Sequence, residues 1–496
     1  MHFLGFDVGS SSIKASIVDG DTGLLIASAS YPEEEMDISS PQDNWAEQQP
    51  ETWWANFIAV ARILLNSSKA EAEKIGAIGI AYQMHGLVLI DKEMNVLRPS
   101  IIWCDSRAVE LGDEAFSAIG EETCLEHLLN SPGNFTASKL AWVKKNEPHL
   151  FEKVYKFMLP GDYIALKLTS EINTTISGLS EGIFWDFKEN KISDLILDYF
   201  GFDNEIIPSI VPTFGIQGYL SKEASSTLGL RKGIPITYRS GDQPNNAYSL
   251  NVLNPGELAA TAGTSGVVYG VSDKRKFDPL SRVNTFAHVN HSLERKNLGV
   301  LMCVNGTGIL YSWLKRNMAQ SGVDYDEMNM MAGEIAVGSE GVIVLPFGNG
   351  AERILHNRNI GAGFSRINFN VHTQKHIFRA AQEGIAFAFR YGIDIMKTVG
   401  IQPDKIRAGN TNMFLSKTFR ETLSGLTGAT IELLNTDGSQ GAARGAGHGL
   451  DYYASDKEAF IGLNKVEDVH VNSSEQLDEA YKNWLTMLED SLNTSV

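Results

Sequence analysis

The sequence predicts an α/β protein of two domains, and three observations carry that expectation. The chain has 496 residues, more than one hydrophobic core ordinarily organises. Each half opens with an extended run, a turn of small residues and a second extended run, at 3–19 and at 258–270. Each half then carries stretches with apolar residues at helical spacing. Hydrophobic content of 43% and charged content of 21% are those of an ordinary soluble domain. The net charge of −18 argues against nucleic acid and anionic membrane as partners, since both need basic surface. It leaves room for an anionic ligand held locally by backbone amides. Cys104, Cys124 and Cys303 are far apart and odd in number, which suggests neither a disulfide framework nor a zinc site, and a reduced cytoplasm fits. The N-terminal MHFLGFDVGSSSIKAS lacks a signal-peptide pattern. No apolar run approaches the ~18 residues of a membrane span, so a cytoplasmic protein is expected.

Residues 2–31 read as three short strands joined by Gly9-Ser10-Ser11-Ser12 and by Gly20-Asp21-Thr22-Gly23, an antiparallel meander. Asp7 ends the first strand, the serine turn follows, and Lys14 comes shortly after. Acid, glycine, hydroxyls and cation in that order suit a magnesium-bound polyphosphate. They equally suit a serine-rich hairpin with an exposed lysine. From about Glu51, Trp53, Trp54, Phe57, Ile58, Ala61, Leu64 and Leu65 lie at helical spacing and read as core. Residues 75–80 are a buried strand by composition. Gln83, Met84 and His85 follow it, where α/β folds place ligands. Asp105 and Arg107 close another apolar run, suited either to ligand hydroxyls or to a salt-bridged strand exit. Residues 162–168 read as a helix and 177–180 as a loop without chemistry.

The stretch SGDQPNNAYSL after the strand at 234–238 is the centre of the sequence. Asp242 stands between Gly241 and Gln243 with no basic neighbour, which suits a general base. Asn245 and Asn246 put two amides beside it. After the next apolar run comes Gly263-Thr264-Ser265-Gly266, whose small residues bring N–H groups and hydroxyls close to phosphate oxygens. Base and phosphate cradle together point to phosphoryl transfer to a hydroxyl. Two ordinary strand turns would read the same.

Taken in order, DVGSSSIK, QMHG, WCDSR, SGDQ and TAGTSG resemble the FGGY carbohydrate kinases, most of all the members that phosphorylate D-xylulose. The family opening Asp-x-Gly-(Thr/Ser)-(Thr/Ser)-x-x-(Lys/Arg) is matched by Asp7 to Lys14. A signature Ser/Thr-x-x-Lys-apolar-x-Trp is matched by Thr136, Lys139, Leu140 and Trp142. The resemblance implies two ribonuclease-H-like domains of the actin and hexokinase type flanking a central cleft, an N-terminal sugar side at 1–239 and a C-terminal nucleotide side at 240–496. It implies ATP and Mg2+ as cofactors, a small sugar as partner, and a monomer or homodimer. It assigns Asp242 as general base, and Met84, His85, Asp105, Arg107, Asp242 and Gln243 to the sugar. To the nucleotide it assigns Asp7, Gly9, Ser10, Ser11, Lys14, Gly263, Thr264, Gly306, Gly409 and Asn410, with Asp7 holding the metal through water. Where the family has Gly-Gly, this chain has Ala408-Gly409.

Later elements complete the reading: a strand over 299–305 before Gly306, a buried strand over 342–347, a loop carrying Glu352, Arg353, His356 and Asn357, and a long helix over 376–396. The run Gly438 to Gly447 is a small-residue helix start suited to close packing, and the tail from about 455 reads as helical and solvent-facing. The expected activity is ATP-dependent phosphorylation of D-xylulose. Ribulose and gluconate kinases, a non-catalytic sugar sensor and an actin-like ATPase are the alternatives.

Overall fold

The computed structural model describes residues 1–67 and 72–494. They form two compact units, each built from separate segments of the chain. The first comprises Met1–Asn251, Thr285–Leu298 and Thr436–Leu463; the second comprises Val252–Asn284, Gly299–Asn435 and Asn464–Val496.

In the first unit a six-stranded sheet runs in the order Phe214–Tyr219, Pro235–Gly241, Ile75–Tyr82, His2–Val8, Ile13–Asp19, Leu25–Tyr31. The meander expected over the first three strands is present. Ile75–Tyr82 lies parallel to both His2–Val8 and Pro235–Gly241. Residue alternation sets the two faces. Leu4, Phe6 and Val8 join a core with Trp53, Phe57 and Val60 of the helix Pro50–Ser67 and with Tyr163 and Ile164 of the helix Pro160–Thr169. Phe3, Gly5 and Asp7 face the other way, where Phe3 packs with Ala443 and Ala446 of the helix Gly438–Gly449. Glycines let that helix sit directly on the sheet. A Cβ at Gly5 would lie 2.1 Å from the Ser439 carbonyl oxygen and the Ala443 nitrogen, and one at Gly79 would lie 2.0 Å from the Ala442 carbonyl oxygen. The close packing expected of the Gly438 run is therefore made within the first unit.

The second unit repeats the scheme. Its strands lie in the order Leu298–Val304, Gly266–Ser272, Glu257–Ala262, Lys405–Gly409, Thr430–Asn435, Asn464–Val469. Again an antiparallel hairpin (257–262 with 266–272) leads into two parallel neighbours and ends in an antiparallel edge. The repeated strand–turn–strand in the sequence is thus the start of the same sheet twice. The helix Gln374–Thr398 runs through the core, with Ile377, Phe378, Ile385 and Phe389 all buried.

Two expectations are corrected. Residues 177–180 are not a loop: they lie in the helix Ile176–Glu181, capped by Thr175, whose hydroxyl accepts the Gly178 N–H. The tail is not solvent-facing. Its helix Glu475–Thr494 buries Leu477, Trp484 and Leu488 in the second core, and the Trp484 indole donates to the Val344 carbonyl at 2.9 Å. Tyr481, Leu485 and Leu492 pack against the same core, so Leu477, Tyr481, Trp484, Leu488 and Leu492 form one apolar face at helical spacing that marks the helix as docked on one side.

Candidate active site

Three parallel strands of the first unit finish side by side, with Val8, Tyr82 and Gly241 as register partners. The turn Gly9–Ser12, the segment Gln83-Met84-His85 and Asp242 therefore leave the same sheet edge as neighbours, the edge where parallel sheets bind ligands.

Asp242 is the first residue of the helix Asp242–Ser249 and is half-buried. Burial first, then the Asp7 charge, pushes its carboxyl up to about 7 against hydrogen bonds from Gln243. A carboxylate so placed takes up a proton near neutrality, as a general base requires. Gly241 has no room for a side chain: a Cβ there would lie 2.5 Å from Glu181 Oε2 and 2.6 Å from Met84 Cγ. Met84 is buried. His85 turns the chain with φ of 62°, its Nδ1 donates to the Glu181 carbonyl at 3.0 Å, and its ring stands edge-on to Phe135. Lys139 fixes that turn from below. Its buried ammonium donates to the carbonyls of His85 at 2.8 Å and Ile102 at 3.0 Å, and burial lowers its pKa to about 7.

Asp7 pairs in register with Lys14 across the hairpin. Burial pushes its carboxyl up to about 6, with Lys14 opposing and Asp437 reinforcing the shift. A Cβ on Gly438 would fall 2.2 Å from Asp7 Oδ2, so the carboxylate lies against the start of the helix Gly438–Gly449. Asn245 is buried and donates to the Gly438 carbonyl at 2.9 Å, so its amide ties the helix bearing Asp242 to the helix facing Asp7. The Ser10 turn is held by Gln48, which donates to the Ser10 carbonyl at 2.7 Å, and Trp103 donates to Ser10 Oγ at 3.3 Å. Asp105 and Arg107 pair at 2.7 Å; Arg107 also meets Glu47 at 2.7 Å and lies 3.8 Å from the Trp45 ring centroid. Both side chains are buried and engaged within the protein.

The second unit holds a cavity of about 540 Å³, within the size range of small-molecule sites. Gly263 and Thr264 line it, as does the face Gly308, Tyr311 and Ser312 of the helix Gly308–Asn317, together with Asn329 and Asn412. The turn and the helix start are joined: Gly308 N–H donates to the Gly263 carbonyl at 2.8 Å, and Ile309 N–H to that of Thr264 at 3.1 Å. Gly306 lies two residues before this lining. Its N–H donates to Glu352, which also takes the Asn305 N–H, and burial pushes Glu352 up to about 7. Gly409 ends the strand Lys405–Gly409, the Asn410 N–H donates to the Leu434 carbonyl, and Asn412 is the nearest member of that segment to line the cavity.

Several contributors were not read from sequence. Tyr311 and Ser312 follow Gly308 at i+3 and i+4, a signal open to helical spacing. Glu181 directly follows the supposed loop at 177–180 and drew no reading of its own. Gln48 and Glu47 act through tertiary contacts that spacing does not reveal. Among the described residues no group of three or more His, Cys, Asp and Glu forms a metal cage, and no helix is long and apolar enough to cross a membrane.

Two sheets of like order, each with a hairpin leading into parallel strands, and a carboxylate after one of those strands are compatible with phosphoryl transfer to a hydroxyl. The N-terminal domain model of the FGGY family of carbohydrate kinases matches residues 2–247, and the C-terminal domain model matches 258–446. The chain belongs to that family. It is 27% identical over 466 residues to the xylulose kinase of Escherichia coli, covering 93% of this chain and 92% of the relative. Its fold is similar to the crystal structures of xylulose kinase from Rhodospirillum rubrum (TM-score 0.88, 23% identity, 99% of both chains) and gluconate kinase from Lactobacillus acidophilus (TM-score 0.89, 19% identity, 100% and 99%).

Proposed function

We propose that the protein transfers the terminal phosphoryl group of ATP to a primary hydroxyl of a pentulose, D-xylulose first, with Asp242 as general base. The observation that carries this reading is the register of Val8, Tyr82 and Gly241, which brings the serine turn, Met84-His85 and Asp242 to one edge. Substrate class follows the similarity to xylulose kinases over most of both chains.

Asp242 accepts the proton of the attacking hydroxyl, and Gln243 orients the carboxylate by hydrogen bonding to it. Met84 and His85 bound the sugar from the neighbouring strand, and Asp105 with Arg107 stiffens the wall behind them. In the first unit Gly9, Ser10, Ser11 and Lys14 are suited to phosphate oxygens; in the second unit the Gly263-Thr264 turn is suited to them as well. The cavity beneath Gly308, Tyr311 and Asn412 takes the nucleoside, with Gly306, Gly409 and Asn410 shaping the turns that support it. Mg2+ fits the residues present. It keeps most of its waters and needs only one or two carboxylates beside substrate phosphates, and Asp7, whose carboxylate lies against Gly438, offers one. When bound, the ion neutralises charge on the phosphates.

The test is coupled ADP release over D-xylulose, D-ribulose, L-ribulose, L-xylulose, gluconate and glycerol. Selective turnover of D-xylulose is expected. Selective turnover of gluconate overturns the substrate class, and sugar-independent ADP release overturns the kinase reading.

A further inference from the structure

Glu181 is a buried polar side chain of the first unit that the mechanism above does not use. It ends the helix Ile176–Glu181 and is 1% exposed. Neither carboxyl oxygen has a hydrogen-bond partner of normal geometry; the His85 N–H and the Tyr82 hydroxyl are close enough only to moderate the cost of its burial. No Lys, Arg or His among the described residues reaches it as an ion pair. The nearby cations are committed elsewhere: Lys139 to two backbone carbonyls, Arg239 to Asp162 and Asn173. A buried carboxyl left in this state costs free energy unless something supplies its hydrogen bonds. Its position says what does. Oε2 lies against Gly241, the residue before the base, on the same spot that Met84 Cγ touches, and its own carbonyl holds His85.

We propose that Glu181 is a specificity-determining residue whose carboxyl group hydrogen-bonds hydroxyls of the bound sugar, selecting a neutral polyol over a sugar acid. This rests on the reading of Asp242 and its neighbours as the sugar site. Burial and the Asp242 charge already drive the Glu181 carboxyl far above the ordinary range, and burial raises Asp242 as well. A place that resists ionising its own acids disfavours a substrate carboxylate for the same electrostatic reason. A neutral ketose brings only hydroxyls and a carbonyl, which satisfy the stranded oxygens.

The experiment compares initial rates with D-xylulose for the wild type and Glu181→Gln, with xylitol and xylonate as competitive inhibitors of both. Loss of one hydrogen bond at a buried polar site should raise KM for D-xylulose about tenfold in the variant while KM for ATP holds and the melting temperature does not fall. In the wild type xylitol should inhibit about tenfold better than xylonate, and the variant should narrow that ratio. A variant with unchanged KM and unchanged inhibition overturns the inference while wild-type turnover of D-xylulose leaves the function standing. A wild type inert toward D-xylulose overturns the function itself. If Glu181→Gln does not fold, the wild-type ratio decides: xylonate binding as well as xylitol overturns the proposal.

Discussion

Asp242 combines two burdens, because the burial that suits it to the proposed role of base also makes it expensive to fold. Its pKa rises from 3.8 to about 7, so the unfolded chain ionises it readily and the folded chain does not. That penalty is absent below about pH 4, grows as pH rises, and is complete above about 7. Asp242→Asn should therefore melt at a higher temperature than the wild type at pH 8, by an amount on the order of a few kcal/mol at most, and the advantage should vanish toward pH 4. Thermal melts across pH would read it; an advantage that does not change with pH would refute the assignment. The same substitution should lower kcat by about 10²–10⁴-fold while calorimetry still detects sugar binding. Wild-type kcat/KM should rise with pH through about 7 as the carboxyl sheds its proton. The placement of Asp242, Met84 and His85 just past strand ends was legible because each follows an apolar run. Glu181 was not: a carboxyl in SGLSEG has no local mark, and only the fold brings it to Gly241.

At the scale of elements, backbone contact replaces side-chain packing wherever the site is built. The helix Gly438–Gly449 rests on Gly5 and Gly79 with no side chain between. Gly79→Ala should cost about 1–3 kcal/mol or more, since the obstacle is the Ala442 carbonyl and not a movable side chain. Chemical denaturation would measure it, and an unchanged midpoint would show that the helix can lift away freely. Gly308 plays the same part in the second unit, where a Cβ would meet the Gly263 carbonyl oxygen at 2.3 Å. Gly308→Ala should weaken nucleotide binding about tenfold or more by displacing the turn, with sugar affinity unchanged in titration calorimetry. The glycine run at 438–447 announced close packing from its composition alone. It did not announce the partner, because small residues fit any flat surface equally.

For the whole molecule, the doubled strand–turn–strand pattern was visible, and it became the same sheet built twice. Segment membership was not visible. Nothing in residues 436–463 marks them as part of the unit that begins at Met1; what puts them there is the fit of Ala443 and Ala446 on Phe3, a tertiary fact. A chain ending at Asn435 should accordingly show no cooperative melt for the first unit by circular dichroism, and an intact transition would mean the helix is dispensable.

The place of the helix Gly438–Gly449 also sets a timetable. During synthesis the first sheet emerges early, yet the face bearing Phe3 and Gly5 stays uncovered until the ribosome has passed residue 463 of 496. The second unit waits longer still, for the helix Glu475–Thr494. At roughly 5–20 residues per second, that leaves a half-built apolar surface exposed for many seconds. A message cut before residue 463 completes neither unit, and one cut between there and the helix Glu475–Thr494 completes only the first.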